Sequence, residues 1–318
     1  MQVYRHFHDL APQAKGAVVA LGNFDGVHRG HQALLGEARR VAREQEAPFG
    51  VLVFEPHPQE FFRPQAEPFR LTPFRARVRL MQGLGADILY ALPFDAGMAA
   101  RSAQDFVMDI LVKGLGVRHI VIGADFLFGK GRAGDAAVLA YMGEMEGFGV
   151  TVFEPVAAGS GEAKISSSDI RRALEDGRPD MAAALLGHWW SVEARVEHGD
   201  ARGRTLGFPT ANLKFEGALR PAYGVYAVRV RIEESGGHHD GVANFGVRPM
   251  FESKEPLLEA HLFDFSDDLY GKHLAVEFVA YLRGEAKFAD LDALKAQMAK
   301  DAASARVALE ANRLPPNL

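Results

Sequence analysis

Two histidines three positions apart, His28 and His31, stand in the run LGNFDGVHRGHQ, directly after the apolar run AVVAL. Such a pair could bind a metal ion, exchange protons, contact a phosphate or pack in a core. Zinc usually takes three or four protein ligands, and no third ligand is spaced nearby. Gly26 and Gly30 allow the backbone to pass close to a phosphate, and free N–H groups at a helix start favour an anion. Phosphate contact therefore fits this pair better than metal binding does, and structural packing stays open as the alternative.

A second candidate anion site lies in the run ISSSDIRRAL, which has the pattern of a helix start. Ser167 or Ser168 is predicted to cap that helix. Arg171 follows one turn later, where its guanidinium could hold a phosphate through two parallel hydrogen bonds. The alternative is an ordinary capped helix with a solvated arginine.

Two segments carry aromatic and imidazole side chains beside turn residues: FEPHPQEFF and IGADFLFGKGRAGD. His57 lies between two prolines, which favours a stiff, extended turn. Phe126 and Phe128 have the period-two spacing that presents both rings to one side, although core packing would explain them too. The letters GKGRAG match the dinucleotide pattern GxGxxG, but ADFLF separates them from the preceding strand, so we do not interpret them as that fingerprint.

The run GDARGRTLGFPTANL is difficult to explain as structure alone. Gly203 and Gly207 flank a basic stretch that includes Arg204. After the rigid Phe-Pro turn, Thr210 and Asn212 have the spacing that puts both side chains on one face of an extended segment. A hydroxyl and an amide oxygen are suitable ligands for Mg²⁺, while the basic stretch could cover phosphates. The alternative is a β-hairpin with ordinary turn chemistry.

The elements that must position these residues change in character along the chain. In the first half, strand-like apolar runs alternate with helical patterns such as residues 32–45, which predicts a parallel sheet covered by helices. Those strand candidates are 17–21, 49–54, 88–92, 119–122 and 150–153. From about residue 187, alternating runs and turn clusters predict an antiparallel sandwich or barrel, closed by a helix over 291–312.

Bulk composition excludes several classes of protein. The chain of 318 residues has no cysteine, 41 acidic and 36 basic side chains, and a net charge of -5. Thiolate metal sites and cysteine nucleophiles are therefore excluded, and a nucleic-acid partner is disfavoured. The start lacks the apolar core of a signal peptide and no eighteen apolar residues run together, so we expect a cytoplasmic protein without a membrane partner.

Taken together, the two anion motifs resemble the nucleotidyltransferases that transfer an adenylyl group from ATP, and GNFDGVHRGH is similar to the adenylyltransferase module of bacterial bifunctional riboflavin kinase/FAD synthetases. The resemblance implies a Rossmann-like nucleotidyltransferase domain. It implies triphosphate contacts by His28, His31, Ser167, Ser168 and Arg171. Nucleotide contacts would also come from Gly22, Phe24, Asp25 and Gly30, and flavin-side contacts from His57, Asp125, Phe126 and Phe128.

The later run closely resembles the riboflavin-kinase signature G-RGR-LGFPTAN, and the likeness continues over roughly residues 187–300. It implies an antiparallel Greek-key barrel, a phosphate arch at Gly203, Arg204 and Gly207, and Mg²⁺ on Thr210 and Asn212. It also implies that Glu259 is the catalytic base, as a kinase acting on a primary alcohol requires. The sequence departs from the family at Met250 and Ser168, where threonine is usual; Ser168 keeps the hydroxyl and Met250 loses it.

We expect two domains, 1–186 for FMN adenylylation and 187–318 for riboflavin phosphorylation. The substrates would be riboflavin, FMN and ATP, with FAD as the final product and Mg²⁺ as cofactor. The sequence leaves a homo-oligomer open. It also leaves open two rival functions: a flavin-binding regulator without turnover, and an adenylyltransferase for another phosphorylated acceptor.

Overall fold

In the computed structural model, the apolar runs of the first half form a six-stranded sheet in which every pair of neighbours is parallel. The order across the sheet is β1-β4-β3-β2-β5-β6. The strands are β1 Gln2–Tyr4, β2 Val18–Leu21, β3 Phe49–Glu55, β4 Ile88–Pro93, β5 His119–Gly123 and β6 Gly149–Phe153. Five of the six were predicted; the short, largely exposed β1 lacks an apolar signal and was missed.

Helices cover both faces of this sheet because its strands are apolar on both sides. Val18 and Ala20 of β2 contribute to the core under α1 and α3, while Val19 and Leu21 contribute to the opposite core. The helices of this half are α1 Arg29–Glu44, α2 Pro58–Phe62, α3 Phe74–Gly83, α4 Ala96–Ala100, α5 Ala103–Asp105 and α6 Ala136–Glu146. A π-helical stretch, Phe106–Gly114, continues directly from α5.

In the part of the second half that the structure describes, six further strands close into a barrel with the order β10-β11-β8-β7-β12-β9. All pairs are antiparallel, and the partial order β12-β9-β10-β11 is a Greek key, as predicted. The strands are β7 Ser191–Glu197, β8 Ala211–Lys214, β9 Gly224–Ile232, β10 His238–Val247, β11 Pro256–Leu262 and β12 His273–Arg283.

Among the described residues, three helices accompany the barrel: α7 Ser167–Glu175, α8 Pro179–Leu186 and the long α9 Leu291–Ala311. Ala305 and Leu309 of α9 are buried with Ala227 and Val279 of the barrel strands. The buried Arg229 donates hydrogen bonds of 2.8 Å to the carbonyl oxygens of Leu309 and Asn312, which satisfies the carboxyl end of the helix.

The structure describes residues 1–154, 165–197, 208–215, 217–233, 236–247 and 256–312, and these form two compact units. The first unit contains Met1–Glu67 and Phe74–Ile165. The second contains Pro68–Pro73 and everything described from Ser166 onward, so α7 and α8 pack with the barrel. No helix within the described ranges is long and apolar enough to cross a membrane.

Candidate functional site

The first unit has a topological switch point between β2 and β5. From β2 the chain proceeds outward through β3 and β4, whereas from β5 it proceeds in the other direction to β6. Ligands of open α/β sheets bind at such a point, beyond the carboxyl ends of the strands. The loop that contains His28 follows β2, and the loop that contains Phe126 follows β5. Two of the predicted motifs therefore emerge at the edge where a ligand is expected.

The loop between β2 and α1 has an unusual backbone. Phe24, Gly26 and Val27 all have positive φ, at 50°, 88° and 44°. Glycine adopts this region freely, but a β-branched valine there costs on the order of 1–3 kcal/mol. Val27 is fully buried and Phe24 is 2% exposed, so side-chain packing holds the strained turn in place. Strain maintained in this way is typical of a ligand-binding loop.

His28 is the N-cap of α1, a role that serine or aspartate usually has. Its Nδ1 accepts a hydrogen bond from the backbone N–H of His31 at 3.3 Å. An accepting nitrogen carries no proton, so neutral His28 carries its proton on Nε2. A Cβ at Gly30 would lie 3.3 Å from the His28 ring, which explains the glycine at this position.

His31 stacks on His28, with ring centroids 3.6 Å apart and an interplanar angle of 17°. The ring of Phe24 meets it edge-on at 5.3 Å. Burial, and secondly the neighbouring His28, lower the pKa of His31 well below its usual range. Within the described ranges, its buried Nδ1 has no hydrogen-bond partner. A buried polar atom in that state costs about 1–3 kcal/mol, which a ligand that hydrogen-bonds there would recover.

A cavity of about 490 Å³ lies at the same edge of the sheet and is rich in aromatic side chains. Its lining comes from the segments that follow β2, β3, β4 and β5. His57 is the N-cap of α2 within a capping box, which fixes its ring at the cavity wall. The phenylalanines of the lining are Phe54, Phe62, Phe94, Phe106, Phe126 and Phe128.

Phe126 and Phe128 stack with centroids 5.8 Å apart and an interplanar angle of 16°. Phe128 is buried and contacts Phe106, so the alternative of core packing applies to it as well; Phe126 is only half-buried. A flat aromatic ligand would find stacking partners in such a cavity.

The loop after β5 is fixed by paired backbone hydrogen bonds between Phe128 and Gly134, each 2.9 Å, and α6 begins only at Ala136. The GxGxxG letters are therefore not a dinucleotide fingerprint, in agreement with the prediction.

The second unit has its own cavity, also about 490 Å³, lined by Thr210 and Asn212 together with the segment from Phe265 to Tyr270. The turn that presents Thr210 is held from β11, because His261 Nδ1 donates a hydrogen bond of 2.8 Å to the carbonyl oxygen of Pro209. The ring of Phe208 packs against the same imidazole at 5.3 Å. His261 therefore fixes the backbone immediately before the candidate magnesium ligands.

Glu259 is brought beside Asn212 by strand register. The two residues are directly paired between β11 and β8, and Asn244 of β10 pairs with Glu259 on its other side. Directly opposite residues of an antiparallel pair share a face, with Cβ atoms about 4.5–5.5 Å apart. The predicted base and one predicted metal ligand, 47 positions apart in the sequence, thus lie next to each other on one face of the barrel.

Comparison with known proteins places this chain in a family. The family model for FAD synthetase matches residues 10–169, and the model for riboflavin kinase matches residues 186–309. A bifunctional riboflavin kinase/FMN adenylyltransferase of Escherichia coli K12 is 43% identical over 96% of this chain and 97% of its own length. The chain belongs to the family of bifunctional riboflavin kinase/FMN adenylyltransferases.

Other proteins are similar to this chain over more than nine tenths of its length. A bifunctional riboflavin kinase/FMN adenylyltransferase of Bacillus subtilis is 37% identical over 93% of this chain and 94% of its own. A crystal structure titled as a macrolide-efflux protein from Streptococcus pneumoniae is similar with a TM-score of 0.83 and 33% identity, covering 96% of this chain and 98% of that one. The predicted resemblance to the bifunctional family is confirmed.

In this chain, Ser167, Ser168 and Arg171 of the second anion motif lie in the second compact unit. The predicted cap was wrong: Ser166, and not Ser167 or Ser168, caps α7, accepting from the backbone N–H of Asp169 at 3.2 Å. The earlier serine is favoured because Asp169 also accepts from its hydroxyl at 2.6 Å. Ser167 and Ser168 occupy the first two positions of the helix, and their phosphate contacts stay a prediction.

Arg171 is engaged within its own unit. Its Nε donates a hydrogen bond of 2.8 Å to the carbonyl oxygen of Phe69, and its guanidinium lies 5.2 Å from the centroid of that ring. Its predicted contact with phosphate is not tested by these contacts.

The remaining predicted residues are a glycine that makes room for a ring, two aspartates, and several residues for which the structure gives no description. Gly22 makes room for Phe24, whose ring would lie 3.1 Å from a Cβ there. Asp25 is buried in the strained loop, and Asp125 is exposed on the loop after β5. Gly203, Arg204, Gly207 and Met250 lie outside the described residues.

Sequence reasoning missed several cavity residues: Phe54, Phe94, Met98, Phe106 and Arg101. They are scattered along more than forty positions, and each alone has the pattern of an ordinary core or surface residue. A signal from position was available for two of them, because Phe54 is the last residue of one predicted strand and Phe94 lies just beyond the carboxyl end of another.

Proposed function

We propose that this chain carries out two consecutive reactions: ATP-dependent phosphorylation of riboflavin to FMN, and adenylylation of FMN to FAD with release of pyrophosphate. One observation carries the proposal. The FAD synthetase and riboflavin kinase models match consecutive stretches of the chain, and each stretch contains one of the two cavities with its polar residues. ATP and the flavins are the substrates.

In the adenylylation step, the phosphate of FMN would attack the α-phosphorus of ATP, and the bond to the departing pyrophosphate would break. The nucleophile is already an anion, so the step needs no general base. We propose that His28 and His31 donate hydrogen bonds to the triphosphate, where donors placed against growing negative charge lower the barrier. The proton on Nε2 of His28 and the unsatisfied ring atom of His31 support this assignment. The flavin ring would occupy the aromatic cavity beside Phe126.

In the kinase step, the ribityl 5′-hydroxyl of riboflavin would attack the γ-phosphorus of ATP and transfer its proton to Glu259, and the bond from the γ-phosphorus to the departing ADP would break. Thr210 and Asn212 both line one cavity. Their hydroxyl and amide oxygens are hard neutral donors of the kind that Mg²⁺ accepts. Mg²⁺ held there would neutralise charge on the ATP phosphates. The register that pairs Glu259 with Asn212 supports a base close to those phosphates.

Three further assignments belong to the proposal. Adenylylation is assigned to residues 1–186 and phosphorylation to 187–318; the family models divide between 169 and 186, while the compact units divide at Ile165. The substrates are small molecules, without nucleic acid or membrane as partner. The site of action is the cytoplasm.

The deciding experiment is incubation of the purified chain with riboflavin, ATP and Mg²⁺, with FMN and FAD followed over time. We expect FMN to form first and FAD after it, both dependent on ATP. A chain that binds flavin without turnover would be a regulator. FMN formation without FAD, together with adenylylation of another phosphorylated acceptor, would mean that the first unit has a different substrate.

A further inference from the structure

Arg77 of α3 is a charged side chain that no step of the proposed reactions uses, yet it is completely buried. It is among the largest fully buried side chains described, and its exposed fraction is 0%. Burying a guanidinium is costly unless its charge is paired and its N–H groups are hydrogen-bonded. A buried cation in this position therefore requires an explanation.

Its contacts join two separate segments of the first unit, a loop and the end of a strand. One terminal nitrogen, Nη1, donates a hydrogen bond of 2.9 Å to the carbonyl oxygen of Asn23, in the loop that precedes His28. The other, Nη2, donates to Glu55 Oε2 at the carboxyl end of β3, directly before the turn that contains His57. The fork of the guanidinium has two fixed directions, so it sets the spacing of these two segments.

Both segments border the proposed adenylylation site. Asn23 lines the aromatic cavity and belongs to the strained loop that ends at His28. Glu55 leads into the segment that supplies His57 and α2 to the same cavity. Arg77 is itself absent from the cavity lining, so it acts behind the wall and not on the substrates.

We propose that Arg77 is a positioning residue for adenylyl transfer: by holding the Asn23 carbonyl and the Glu55 carboxylate, it sets the distance between the phosphate loop and the flavin side. The proposal rests on the function assigned to the first unit. A displacement of about 1 Å between reacting groups can lower a rate about a hundredfold, so loss of this link should reduce turnover more than binding.

The test compares Arg77→Met and Arg77→Lys with wild type, measuring kcat and KM for FAD formation from FMN and ATP. We expect kcat to fall about thirtyfold to a hundredfold in Arg77→Met and about threefold to tenfold in Arg77→Lys, because an ammonium keeps the charge without the fork. KM for ATP should change less than threefold in either variant. Riboflavin phosphorylation by the same purified chain should stay unchanged, since that activity belongs to the other unit.

The matched control is Arg75→Lys, which alters an exposed arginine on the same helix and should retain wild-type kcat. If Arg77→Met does not fold, Arg77→Lys decides alone. Wild-type kcat in the folded Arg77 variants overturns the proposal, as does a proportional loss of both activities. Absence of FAD formation in the wild-type chain would instead refute the function assigned to the first unit.

Discussion

The two candidate phosphate sites are built in different ways. In the first unit, the loop between β2 and α1 has three residues in the left-handed region within four positions, and the candidate side chains His28 and His31 stack on each other at the helix start. In the second unit, Thr210, Asn212 and Glu259 lie on or beside regular antiparallel strands. The first site thus depends on a strained backbone, and the second on strand register.

The same kind of hydrogen bond stabilises both sites. A basic side chain from a neighbouring element donates to a backbone carbonyl next to the candidate ligand-binding residues: Arg77 to Asn23 in the first unit, and His261 to Pro209 in the second. Arg77 is wholly buried, whereas His261 is only partly so. We therefore expect changes in the first site to be more damaging than equivalent changes in the second.

The largest expected effect is on the paired histidines. Replacement of both His28 and His31 by alanine should lower the rate of FAD formation by a factor of about 10⁴, because each donor contributes on the order of a hundredfold to the rate. FMN formation by the same chain should be unchanged. The matched control is the double alanine variant of His6 and His8, which are exposed in the same unit. FAD formation at the wild-type rate in the His28/His31 variant would refute the phosphate role.

The second-largest effect should be the reverse: loss of FMN formation while FAD formation from FMN is retained. Glu259→Ala should lower FMN formation by about 10²–10⁴, the contribution of a positioned general base. FMN supplied from outside should still be adenylylated at the wild-type rate. Product analysis with each flavin measures both activities; loss of the two together would indicate that Glu259 is structural.

His261→Ala tests the hydrogen bond that holds the Pro209 turn in the barrel. Loss of one hydrogen bond of about 1 kcal/mol to Pro209 should raise the Mg²⁺ concentration required for half-maximal FMN formation about fivefold. His261→Asn keeps a side-chain N–H donor and should recover part of the loss. The control is His238→Ala, an exposed histidine at the start of β10. An unchanged Mg²⁺ dependence would show that the turn keeps its shape without the imidazole.

Phe126→Ala tests the aromatic cavity. Removal of a stacking ring worth about 0.5–1.5 kcal/mol should raise the Kd for FMN about threefold to tenfold. Titration of flavin fluorescence measures this directly, with Tyr141→Ala on the exposed face of α6 as the control. If FMN binds the variant as tightly as wild type, the flavin lies elsewhere.

The smallest effect concerns pH. The pKa of His31 is lowered in the folded chain, so below pH 6.5, the usual histidine value, the unfolded state takes up a proton that the folded state excludes. Stability should therefore fall as pH decreases from 6.5 toward the folded pKa, by up to about 1.4 kcal/mol per pH unit. His31→Asn should lack this contribution. Denaturant unfolding of both proteins between pH 7.5 and 5.0 measures the difference, and parallel curves would contradict it.

The outcome for individual elements shows where sequence reasoning succeeded. The five longer strands of the sheet and the last helix were predicted to within one residue at most of their ends, because continuous apolar runs and helical periodicity are local signals. Helix α1 begins at Arg29, three positions before the predicted start, because the imidazole of His28 caps it. A histidine cap is outside the usual pattern of serine, threonine, aspartate and asparagine.

By itself, the sequence determined the order of a parallel α/β unit and a β-barrel, the family, and most of the polar candidate residues, because each motif is a short contiguous run. Only the tertiary structure decided which distant residues meet. It joined Phe54, Phe94, Phe106 and Phe126 into one cavity wall, paired Asn212 with Glu259, and buried Arg77 between a loop and the end of a strand. Such encounters depend on strand order and register, which are set by long-range packing that no local stretch of sequence records.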